Sequence, residues 1–173
     1  MGNVLMIAEH RDGEMRKVCL PGFTFAKQYA EKTGGAFHIL VMGQGLDAVA
    51  EELRGYGAAK VYVADHEALG AYLAESHAAV AARVARDAEA EVVGATTTAM
   101  AKDLLPRVAA KLEAGMASDV VGFNDQGWFS RPVWAGAALV EAEITTPIKV
   151  VTVRGTEFDK AAKVVSLELV NNR

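Results

Sequence analysis

The stretch from Val92 to Asp119, VVGATTTAMAKDLLPRVAAKLEAGMASD, decides how the rest of the chain reads. Val92-Val93-Gly94-Ala95 is a short apolar run of strand character, and Thr96-Thr97-Thr98 is a polar loop. The segment that follows, with Lys102, Asp103 and Arg107, has helical character and leads to a turn at Ser118-Asp119. Strand, polar loop, helix is the repeating half of an open α/β sheet, in which ligands gather beyond the carboxyl ends of the strands. The threonine loop therefore marks the expected working edge. Pro106 lacks the amide that a helix interior needs, so a break or kink is expected there, with Ala99–Leu105 as one short turn and Arg107 opening a second helix.

Upstream, the same alternation recurs. Val4-Leu5-Met6-Ile7-Ala8 is a continuous apolar run, the pattern of a central strand covered on both faces. After a turn at Asp12-Gly13, a helix is predicted from Pro21 to Lys32 and stopped by Gly34-Gly35. Phe37–Met42 reads as a second strand, Asp47–Arg54 as a helix with its cap at Asp47, and Val61–Ala64 as a third strand. Tyr72–Ala88 places Leu73, His77, Val80, Ala81 and Val84 at helical spacing. Strands alternating with helices imply right-handed parallel crossovers and a three-layer α/β/α sandwich with a mostly parallel sheet. Downstream the pattern turns strand-like: Val120–Phe123, Trp128–Trp134, Ala137–Ile144, Lys149–Val153 and Val164–Val170, with a turn at Asn124–Gly127. This β-rich C-terminal extension is expected to add antiparallel strands to the sheet edge or to form a side ribbon.

The 173 residues suffice for one domain with a single core. With 18 basic against 22 acidic residues, a net charge of −4 and no basic run, nucleic acid is not an expected partner. The single cysteine, Cys19, excludes an intramolecular disulfide and fits a reducing, cytoplasmic setting. Apolar stretches such as Ala135–Val140 fall far short of the roughly 20 residues that cross a bilayer.

Two loops are candidates for a nucleotide edge. Gly43-Gln44-Gly45 lies between a strand and a helix, where backbone amides could cradle a phosphate. It follows the second strand and lacks the third glycine of a dinucleotide fingerprint, so a plain turn into a helix is the preferred reading. Thr96, Thr97 and Thr98 could bond a phosphate or ribose, with Lys102 adding charge, but the preferred reading is that one of them caps the helix and the others satisfy the loop. His10, His38, His66 and His77 show no metal spacing with one another or with Cys19, and Ser76-His77 is no nucleophile–base pair because adjacent helical residues diverge. No catalytic set emerges, and an enzyme is not expected.

Four stretches together carry a family resemblance: VLMIAEH at residues 4–10, KDLLPRVAAKL at 102–112 followed by ASD at 117–119, FSRPVWAG at 129–136, and KVVTVRGTEFD at 149–159. In this order they resemble the N-terminal domain of the electron transfer flavoprotein alpha subunit, over nearly the whole chain. The resemblance implies an adenine nucleotide alpha hydrolase-like fold and one N-terminal-type domain spanning 1–173. It further implies an electron carrier that holds FAD between alpha and beta subunits, receives electrons from flavin dehydrogenases and passes them to an acceptor. A full alpha subunit would continue into a second, FAD-binding domain that is absent here, so FAD is not expected on this chain alone. The related beta subunit carries AMP in a corresponding cleft, which keeps a stand-alone adenine-nucleotide module open as an alternative. Ala137 stands where the family often has asparagine.

The partner-facing surface is expected in the β-rich tail. Trp128, Phe129 and Trp134 cluster there with Arg131, and tryptophan and arginine are enriched at interface hot spots. Along a strand, Phe129, Arg131 and Val133 share one face and Trp128, Ser130, Pro132 and Trp134 the other, so one set can be core while the other stays available.

Overall fold

The computed structural model describes residues 2–164. β1 (Asn3–Ala8) leads through a small hairpin, β2 (His10–Arg11) and β3 (Glu14–Met15), and a 3-10 turn at Lys17–Cys19 into α1 (Leu20–Thr33). Then come β4 (Phe37–Gly43), α2 (Asp47–Arg54), β5 (Lys60–Asp65), α3 (Ala74–Asp87), β6 (Ala90–Thr96) and α4 (Ala99–Leu112). The remainder supplies β7 (Gly115–Val120), β8 (Gly122–Phe123), β9 (Phe129–Val133), β10 (Ala138–Ala142) and β11 (Lys149–Val153).

Six strands form one sheet in the order β5-β4-β1-β6-β11-β7, and every pairing in it is parallel. The apolar run of β1 is central, as its composition requires. Alternate side chains go to opposite faces: Val4, Met6 and Ala8 join a core with Phe23 and Phe25 of α1 and Val49 and Leu53 of α2. Leu5 and Ile7 join a second core with Ala78 and Ala81 of α3 and Leu104 and Leu105 of α4. The three-layer sandwich is thus built from two separate apolar layers.

In the tail, β8, β9 and β10 form the expected antiparallel side ribbon, but the last strand departs from expectation. β11 neither pairs antiparallel nor sits at the edge; it inserts parallel between β6 and β7. Its side chains explain the position, because Val150, Val151, Thr152 and Val153 are all buried, the same two-sided signature as β1. A parallel neighbour needs a crossover of a dozen or more residues, normally a helix. Here the antiparallel ribbon β8-β9-β10, a separate three-stranded sheet, serves as that crossover. The strand expected at Val164–Val170 lies outside the described residues except for Val164, which is in no strand.

Three local expectations are also corrected. α4 runs unbroken through Pro106: the proline is exposed, so the Lys102 carbonyl it leaves unpaired can turn to water. Ser118-Asp119 is not a turn but part of β7, where Asp119 adopts φ 58° at a register shift opposite Val151–Val153. The strand expected over Trp128–Trp134 ends at Val133, because Trp134, Ala135 and Gly136 all take positive φ and turn the chain into β10.

Candidate functional site

The loops after the parallel strands converge on one edge, and each is treated differently. After β1, Glu9 is only 5% exposed. Its carboxylate accepts from the Thr98 hydroxyl and, at 2.5 Å, from Arg16 Nη1. The Thr98 oxygen also accepts from the Ala101 amide at 3.0 Å, so Thr98 caps α4 and ties it to β1. Beside it, Cys19 Sγ accepts from the Glu9 amide, and burial pushes the thiol up to about 12, which makes it inert at neutral pH.

At the end of β4, Gly43 has no room for a side chain: a Cβ there would collide with the His10 imidazole, which lies 3.0 Å from the Met42 carbonyl. The amides of Gly45 and Leu46 do face a shared acceptor, but that acceptor is the Asp65 carboxylate, at 2.9 and 2.7 Å. These two bonds favour the charged form and hold the Asp65 carboxyl below its usual range. The chain's own carboxylate takes the donors that a phosphate at this loop would use.

The loop after β6 is different. Thr96 and Thr97 have buried hydroxyls with no hydrogen-bond partner among the described residues, and Thr96 Oγ1 lies so close to Gly22 that a Cβ there would come within 2.6 Å. Both threonines line a groove of about 480 Å³ with Asp119, Arg154, Lys17 and Lys160. Arg154 Nε donates to Asp119 Oδ2 at 2.9 Å, and Nη2 makes a second contact to the same oxygen. Arg154 is the main reason that the Asp119 carboxyl lies below its usual range, against the opposing effect of burial.

The Ser118-Asp119 bulge proves to be a junction that residue patterns alone did not reveal. Arg131 donates from Nε to the Ser118 carbonyl at 3.0 Å and from Nη2 to Ser118 Oγ at 2.9 Å. The Asp119 amide donates to Thr152 Oγ1 at 2.7 Å, and the Arg154 amide to the Val120 carbonyl at 2.8 Å. The arginines of the RP and VR stretches therefore meet at the SD stretch. The available signal was chemical: two arginines and one Ser-Asp pair, each adjoining an apolar run.

The aromatic cluster of the tail divides. Phe129 is fully buried, 5.5 Å from the Tyr29 ring, whereas Trp134 is 83% exposed and Trp128 is 37% exposed. Leu139 and Val140 on β10 are exposed too. At the ends of β1 and β4 lies a smaller cavity of about 130 Å³, lined by Ala8, His10, Met42, Leu69, Tyr72 and His77. His77 Nδ1 donates to the Leu73 carbonyl at 3.0 Å, and burial lowers its pKa below the ordinary value. Among the described residues no three metal-ligating side chains converge, and no helix is long and apolar enough to cross a membrane.

Residues 4–169 match the family described as electron transfer flavoprotein domain. The chain is 36% identical over 160 residues to the electron transfer flavoprotein subunit alpha of Pseudomonas aeruginosa, covering 92% of this chain and 50% of that protein. Against the subunit alpha of Bacillus subtilis it is 31% identical over 163 residues, covering 92% of this chain and 50% of the relative. A relative from Caenorhabditis elegans, whose name marks it as mitochondrial, is 32% identical over 162 residues, 93% of this chain and 48% of its own length. The chain spans about half the length of the curated relatives it matches.

Proposed function

Since this chain belongs to the electron transfer flavoprotein family, we propose that it acts as the N-terminal, partner-facing domain of the alpha half of a flavin electron carrier. In this reading it contributes subunit contacts and a docking surface rather than bond-making chemistry. FAD belongs to the complete complex with an electron transfer flavoprotein beta subunit, flavin dehydrogenases are the electron donors, and the setting is cytoplasmic.

The observation that carries the docking role is the ribbon β8-β9-β10. Trp128, Trp134, Leu139 and Val140, half of the exposed large apolar side chains among the described residues, lie on or beside it. Such clustering is what protein interfaces use, with aromatic anchors in particular. Arg131 joins them through its position on β9, although its guanidinium is held by Ser118; its part in docking is to keep the ribbon in place. Trp134→Ala and Leu139→Ala should each weaken association with a beta subunit by about 1–3 kcal/mol without lowering the melting temperature. Unchanged affinity in both variants would remove the ribbon from the interface. The chain purified alone should be colourless, and FAD at near-stoichiometric occupancy would overturn the expectation that flavin needs the rest of the complex.

The second reading, an adenine-nucleotide module, would use the strand-end edge after Ala8, Met42 and Ala95, where a small cavity between β1 and β4 has Met42 and His77 on its walls. Calorimetric titration with AMP tests it. Micromolar binding lost in His77→Leu would support the reading, and no heat of binding would dismiss it.

A further inference from the structure

Three strand-end positions could receive an anion, and two are already filled from within. The position after β1 holds the Glu9 carboxylate, and the amides after β4 are taken by Asp65. The third, the groove of about 480 Å³ beyond β6, β11 and β7, is open. Its volume lies in the range of small-molecule sites, roughly 300–1,000 Å³. Three cations line it, Lys17, Arg154 and Lys160, against one carboxylate, Asp119. Arg154 is matched by Asp119, whereas neither lysine has an acidic partner within salt-bridge distance among the described residues. The residues that line the groove thus carry an excess of positive charge, on a chain whose net charge is −4.

Its floor is apolar. Pro21 and Val18 form part of it, and Gly155 lies close over Thr96, where a Cβ would come 3.1 Å from the Thr96 methyl. An inorganic anion would leave this floor uncovered, and a neutral apolar molecule would leave the lysines unmatched. The geometry points to a binding site for an organic phosphate monoester, its phosphoryl group between Lys17 and Lys160 and its apolar body over Val18 and Pro21. Lysine ammonium groups suit a phosphoryl dianion as compact, flexible point charges. The inference is independent of the docking role, which uses the ribbon and not these residues.

Phenyl phosphate is the probe, titrated calorimetrically into the full chain beside inorganic phosphate, benzoate and phenol at constant ionic strength. Saturable binding of phenyl phosphate, tighter than each of the other three, is expected. Lys17→Glu and Lys160→Glu are both at exposed positions, and each should weaken it by about fivefold or more, since a charge beside the phosphoryl group changes sign. Arg83→Glu, on the exposed face of α3, should leave it unchanged. Amide chemical shifts should move at Thr97 and Gly155. The site is overturned if phenyl phosphate does not saturate, if benzoate binds as tightly, or if the charge reversals have no effect.

Discussion

Gly43 shows how a residue's identity is decided by a neighbour distant in sequence. Nothing in Gly43-Gln44-Gly45 indicates that His10 fills the space beside it, so a phosphate turn and a packing glycine read alike. Gly43→Ala should displace the imidazole and cost about 1–3 kcal/mol in urea unfolding, the range for overpacking. That one of the three threonines caps α4 was legible; that it is Thr98, shared with a buried Glu9, was not. Thr98→Val should cost about 1–2 kcal/mol through the lost cap. His38 is 5% exposed with Nδ1 unpartnered among the described residues, and burial, then Lys60, lowers its pKa. The unfolded chain, with a pKa of about 6.5, takes up this proton before the folded one does. Stability should therefore fall as pH drops from about 6.5 towards the lowered folded value, and His38→Phe should flatten that part of the profile.

At the scale of elements, helices and inner strands were legible because periodicity and two-sided burial leave marks in one dimension. The unbroken α4 was not, since the rule that proline stops a helix assumes that the freed carbonyl has nowhere to go. Pro106→Ala should restore the bond to Lys102 and raise stability by about 1–3 kcal/mol, as a denaturation midpoint will show. On β9, the sequence offered two faces without saying which was core. Phe129→Ala should cost about 3–5 kcal/mol, whereas Trp134→Ala should change stability by less than about 0.5 kcal/mol.

For the molecule as a whole, the decisive feature is β11. Within the main sheet β7 has no neighbour but β11, so the last part of the sheet depends on a strand encoded after the ribbon. A chain ended at Pro147 should lose cooperative urea unfolding, and persistence of a single sharp transition would show that β11 is dispensable. Sequence by itself determined the α/β class, the four leading strands, the two-faced burial of β1 and the motif series that identifies the family. These are properties of local pattern, and local pattern survives in one dimension. Only the tertiary structure decided where β11 lies, which threonine caps, that Asp65 closes the Gly43 loop, and that Arg131 and Arg154 meet at Ser118-Asp119. Each of those depends on groups far apart in the chain reaching hydrogen-bond distance, and that proximity exists only once the sheet has set the order of its strands.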